Sequence, residues 1–97
     1  MTRDEVVQLL QQHAAELMAE SGAAALSVFG SVARDECGPD SDVDVLVDFP
    51  APPSFYQYMR LKMRLADLLG CRVDLVTRRA LRSGTRPFIE AEALRVA

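Results

Sequence analysis

Between residues 42 and 48 the chain reads DVDVLVD, with three aspartates set among three valines and a leucine. Alternation along an extended segment puts Val43, Val45 and Val47 on one face and Asp42, Asp44, Leu46 and Asp48 on the other. Asp42 and Asp44 then point the same way, about 6–7 Å apart along the backbone. A third carboxylate, Asp74, interrupts the apolar run RVDLV at residues 72–76, where Arg72, Asp74 and Val76 share a face. If the two strands are neighbours with matching faces, three carboxylates converge. Like charges at short range push one another's pKa upward, and Arg72 is the one obvious counter-ion. A divalent cation is the better partner, and an all-oxygen donor set suits Mg²⁺ or Mn²⁺. Mg²⁺ takes one or two carboxylates and fills its shell with water and phosphate oxygens. Such a site calls for a nucleotide.

A second group of residues could hold the phosphates. Gly30 and Ser31 follow the β-prone run ALSVF (residues 25–29), where backbone N–H groups and the serine hydroxyl could cradle an anion. Gly-Ser alone is a weak signal, but about ten residues ahead of a D-x-D strand it is a strong one. Arg34 fits either a phosphate contact or an ion pair with the acidic loop that follows it. Asp40, Asp42 and Asp44 also imitate the opening of an EF-hand loop. Val45 stands where that loop needs glycine and Ala51 where it needs glutamate, which excludes it. Asp48 reads as a strand-end group or as one supporting the site acids from further along the strand, and His13 as a surface or packing residue. Tyr56 and Tyr58 read as helix packing ahead of self-modification, and Cys37 as a loop thiol without a role.

These residues need a scaffold. Val6, Leu10, Ala14, Leu17 and Met18 recur at helical spacing and predict one amphipathic helix over 3–20, capped by Thr2 with Glu5 and ended by Ser21-Gly22. Residues 25–29 and 42–48 predict strands, with a helical turn in VARDE and a loop in CGPDS between them. PAPP (50–53) ends the sheet segment. A second helix is predicted from Ser54 to Leu69 and stopped by Gly70, then a strand over 72–76 and a last helix from Pro87 to Val96. The order α-β-β-α-β-α predicts an α+β (or α/β) domain, helices packed on a small mixed sheet of three or more strands.

At 97 residues, one domain spanning 1–97 with one modest core is expected. No apolar run approaches the roughly 18 residues of a membrane span, and MTRDEVVQLLQQH lacks a signal-peptide core. The two distant cysteines fit reduced thiols and a cytoplasmic setting. The net charge of −3 argues against stable nucleic-acid binding. Arginines crowd residues 60–97, which fits solvated helix faces, or a face that meets phosphates or an acidic partner.

The stretch GSVARDECGPDSDVDVLVDF closely resembles the signature of the polymerase-β-like nucleotidyltransferases, in particular the minimal nucleotidyltransferase (MNT) group, whose usual form is G-S-x-A-R-G, a short loop and S-D-[IV]-D-L-x-V-D-F. CRVDLVT resembles the strand bearing that family's third metal aspartate, and RPFIEAEALRV its usual C-terminal helix. The resemblance implies a palm-like sheet that binds ATP and two Mg²⁺ ions through Asp42, Asp44 and Asp74. Asp74 would also help activate the incoming hydroxyl. Gly30 and Ser31 would hold the β- and γ-phosphates, and Ser41 would support the loop. Small members of the family are antitoxins that attach AMP to a tyrosine of an all-helical HEPN ribonuclease toxin. The implied function is therefore AMP transfer from ATP to a HEPN-type partner. Alternatives are neutralisation by binding alone, or nucleotidyl transfer to a small molecule or RNA. Asp35 departs from the pattern, standing where the family has glycine; if the position needs positive φ, Asp tolerates it better than most residues.

Overall fold

The computed structural model describes residues 1–36, 38 and 41–97; the expectations for Cys37, Pro39 and Asp40 lie outside these residues. Its N-terminal part is helical, but as two helices. α1 (Arg3–Gln12) and α2 (Ala14–Ser21) meet at His13, whose φ of −107° and ψ of 9° leave the helical path. The single helix over 3–20 is thus corrected. Leu10 and Leu17, both buried, keep their spacing whether or not the helix bends between them, so periodicity could not locate the break. Thr2 caps α1, accepting from the Glu5 amide at 3.2 Å, and Gly22 closes α2 in the left-handed region.

Next come β1 (Ala25–Phe29), β2 (Val43–Asp48), α3 (Phe55–Leu69), β3 (Val73–Thr77), a 3₁₀ turn (Arg78–Ala80), α4 (Arg86–Glu92) and β4 (Leu94–Arg95). β2 and β3 each begin one residue later than expected, so Asp42 and Arg72 sit just ahead of their strands. Ser54 and Gln57 form a capping box at the start of α3, and Gly70 ends it with a left-handed residue. Gln57 also donates to the Ser21 carbonyl at 2.6 Å, fastening α3 to α2.

The sheet order is β3-β2-β1-β4. β1 lies antiparallel to β2 and to β4, while β2 and β3 run parallel and are joined through α3. A parallel pair needs such a crossover, which places α3 against one face of the sheet. Leu61, Leu65 and Leu69 of α3 meet Val6, Leu10 and Leu17 and the sheet residues Leu26, Val28, Val43, Val45, Val47, Val73 and Leu75 in one buried cluster. The valine face of β2 is therefore the core face, and the aspartates lie on the other.

The expected helix from Pro87 to Val96 stops at Glu92. Leu26 donates its amide to the Ala97 carbonyl at 3.1 Å, and its carbonyl accepts from Val96 at 2.9 Å. β1 would otherwise present unpaired backbone groups at an edge; tertiary pairing overrides the helical propensity of EAEAL. Among the described residues, no helix is long and apolar enough to cross a membrane.

Candidate active site

The parallel register sets Asp44 directly beside Asp74, on strands about 4.8 Å apart. Asp42 precedes Asp44 by two residues and falls on the same face. Asp42 and Asp74 are exposed and Asp44 is half-buried. Partial burial holds the Asp44 carboxyl above the usual range, and the charges of Asp74 and Asp42 push it further, with Arg34 opposing and Glu92 adding to the rise. Asp42 is paired with Arg72, its Oδ1 3.0 Å from Nε. Both side chains are exposed, and such a pair is worth at most about 1 kcal/mol. Among the described residues, no three carboxylate, imidazole or thiol groups close into a metal-holding cluster. Asp42 has its counter-ion in Arg72. A concavity of about 330 Å³ opens beside Asp42 and Asp74, walled by Met59, Lys62, Met63, Ala66 and Arg72.

The loop after β1 is built around Asp44. Gly30 has a φ of +71°, and a Cβ there would lie 2.1 Å from Asp44 Oδ2 and 3.1 Å from its Cγ. Glycine is required twice over, by conformation and by the approach of the carboxylate. The chain then makes one helical turn, with the Arg34 amide bonded to the Gly30 carbonyl at 3.2 Å. Asp35 takes the left-handed conformation at φ 58°, as its replacement of glycine suggested. Its Oδ1 accepts from the Arg3 amide at 3.1 Å, so a carboxylate sits at the positive end of α1. Ser41 and Gly38 bond reciprocally, each at 3.1 Å, through the serine hydroxyl and backbone.

The donors of this loop divide unevenly. The Gly30 amide is taken by Glu92 Oε1 at 2.9 Å. Arg34 gives Nη1 to Glu92 Oε2 at 2.9 Å and Nε to Glu36 at 3.2 Å. Among the described residues, the Ser31 amide and hydroxyl have no partner, so both donors stand open.

A family model described as a nucleotidyltransferase domain matches residues 10–96. The chain belongs to the nucleotidyltransferase domain family. Protein adenylyltransferase MntA of Thermococcus cleftensis is 41% identical over 96 residues, which covers 99% of this chain and 97% of MntA. A solved structure assigned to the minimal nucleotidyltransferases superposes with a TM-score of 0.83 at 39% identity, over 97% of this chain and 95% of the other. A chain from the complex of a tri-AMPylated Shewanella oneidensis HEPN toxin with its MNT antitoxin gives a TM-score of 0.68 at 19% identity, over 94% and 71% of the two chains. At that identity the last match shows the shared fold.

As a nucleotidyltransferase the chain is an enzyme of the class that its motif resembled. The structure brings Asp42, Asp44 and Asp74 to one end of one face, with Gly30, Ser31 and Arg34 alongside. Ser41 shapes its own loop. Asp48 stands at the far end of β2, 3.8 Å from Arg78. The Tyr58 hydroxyl donates to the Leu75 carbonyl; burial first, and Asp74 second, raise its pKa. Tyr56, expected to pack, is 72% exposed instead, because the apolar face of α3 runs through Leu61, Leu65 and Leu69. Sequence reasoning missed Glu92. It lies within RPFIEAEALRV, read there only as part of a C-terminal helix, and the β1–β4 pairing reveals its place beside the loop.

Proposed function

We propose that the chain transfers AMP from ATP to a hydroxyl, that of a tyrosine, on a HEPN-type helical partner toxin, and so acts as a cytoplasmic antitoxin. The observation that carries this reading is the side-by-side register of Asp44 and Asp74 next to an open Ser31, in a chain 41% identical to a protein adenylyltransferase. The donor set is carboxylate oxygen only, which fits Mg²⁺, or Mn²⁺, better than a thiol- or imidazole-seeking metal. Partial burial first, and the charges of Asp74 and Asp42 second, raise the Asp44 carboxyl, and a cation bound there would favour its ionised form. Asp42, Asp44 and Asp74 would hold the ions. Bound there, the metal supplies positive charge for the α-phosphate and the leaving oxygen.

The chain's own groups do the rest. Ser31 and Arg34 hold the β- and γ-phosphates, presenting the α-phosphorus above the sheet. The acceptor hydroxyl approaches through the concavity beside Asp74, whose carboxylate takes the hydroxyl proton. The bond from the acceptor oxygen to the α-phosphorus forms, the bond to the β-phosphate oxygen breaks, and pyrophosphate leaves.

The second reading is neutralisation by binding alone. Phe55, Tyr56, Met63 and Phe88 are large, apolar or aromatic, and exposed, which is what a protein partner would cover. Activity of the helical partner, assayed with and without ATP and Mg²⁺, separates the two. Catalysis predicts silencing that requires ATP and is lost in Asp44→Asn. Equal silencing by both proteins without ATP would leave binding alone.

A further inference from the structure

The β1–β4 register explains how Glu92 reaches the loop. Ser27 faces Arg95 and Val28 faces Leu94, so two further steps bring Gly30 opposite Glu92. Helix α4 ends at Glu92, and its backbone therefore cannot continue the ladder. The carboxylate takes over, accepting from the Gly30 amide with Oε1 and from Arg34 Nη1 with Oε2, each at 2.9 Å. One side chain thus holds both ends of the turn that carries Ser31.

We propose that Glu92 is the positioning residue of the phosphate loop, fixing Gly30 and aiming Arg34 so that the guanidinium and Ser31 receive the triphosphate together. The inference rests on the nucleotidyl-transfer reading above. Arg34 presents five donors in a plane. Glu92 and Glu36 engage Nη1 and Nε, which leaves Nη2 for a phosphate oxygen. The two anchors are unequal. The Glu36 side chain is 65% exposed, whereas that of Glu92 is 31% exposed and is held by β4 pairing. Without Glu92 the arginine is tethered only by an exposed surface pair. Charge alone argues the other way, since deleting a carboxylate beside a triphosphate should tighten binding. Positioning and charge therefore predict opposite signs.

The test is calorimetric titration of inorganic triphosphate and of ATP, with Mg²⁺, into wild type, E92A, E92Q, R34A and the E92A/R34A double variant, each checked by thermal melting. E92A should weaken both ligands about tenfold, the scale of one charge-assisted hydrogen bond. E92Q keeps an acceptor for Gly30 and should weaken them about threefold; it carries the test if E92A fails to fold. In the R34A background, E92A should add less than about twofold, because the two residues act as one unit. In turnover, the KM for ATP should rise while kcat stays within about twofold. Equal or tighter binding by folded E92A or E92Q would overturn the proposal and make Glu92 a strand cap or competing anion. If wild type binds neither ligand, the nucleotidyl-transfer reading fails and takes this inference with it. Wild-type binding with unaffected variants sinks this inference alone.

Discussion

Replacing Gly30 with alanine tests whether the loop is built around Asp44. Two strains add at this position. The φ of +71° costs an L-residue about 1–2 kcal/mol. The new Cβ also lands 2.1 Å from Asp44 Oδ2. Rotating the carboxylate moves that oxygen, but Cγ at 3.1 Å stays tight, and crowding of this kind costs about 1–2 kcal/mol more. Gly70 is the internal control, with a φ of +67° and nothing within 4 Å of an added methyl. Gly70→Ala should lose about 1–2 kcal/mol and Gly30→Ala about 2–4 kcal/mol. For a chain of this size the difference is about 5–15 °C in Tm. Urea melts of metal-free protein read it directly. In an Asp44→Ala background the excess cost of Gly30→Ala should vanish, leaving the cost seen at Gly70. Because the methyl displaces Asp44, transfer activity should fall about a hundredfold even where the protein is folded. Equal costs for Gly30→Ala and Gly70→Ala in otherwise unchanged protein would refute the steric reasoning.

Three more outcomes follow from the same geometry. The Asp44 carboxyl has a raised pKa in the fold, so its contribution to stability is fully present below the ordinary carboxyl value and is lost as pH rises through the raised one. Metal-free Asp44→Asn should therefore melt higher than wild type at neutral pH, and the gap should close in acid; a gap that widens in acid would reverse the sign. Asp35 combines left-handed strain with an acceptor for the Arg3 amide. Asp35→Gly should be within about 1 kcal/mol of wild type, while Asp35→Ala keeps the strain, loses the acceptor and should cost about 1–2 kcal/mol in denaturant melts. Gln57→Ala removes half of the α3 capping box and the bond to the Ser21 carbonyl, a loss of about 1–2 kcal/mol with m unchanged.

Period-2 alternation was enough to place Asp42 and Asp44 on the face away from Val43, Val45 and Val47, because one face of this sheet must be buried. It was enough for Asp74 once β3 was taken as a neighbour. The loop chemistry was half legible. Gly30 is required, but as a steric gap beside Asp44, while its amide belongs to Glu92. Asp35 kept the glycine-like conformation and gained a second role at α1. What local patterns could not carry was long-range pairing. The EAEALRV segment is helical by propensity, and only the unsatisfied edge of β1 draws Leu94 and Arg95 into the sheet. Without that pairing, nothing in the sequence brings Glu92 to a loop 62 residues away. The bend at His13 was hidden for a related reason, since buried leucines seven apart look the same across a kink.

Whether three aspartates and a Gly-Ser turn make this chain an AMP-transferring enzyme acting on a protein can be read from the partner itself. The measurement is intact-mass and peptide spectra of the helical partner after incubation with the chain, ATP and Mg²⁺. AMP transfer predicts one or more adducts on a partner tyrosine with wild type, and none with Asp42→Asn or Asp44→Asn under the same conditions. An unmodified partner that the wild-type chain nevertheless binds and silences would contradict it.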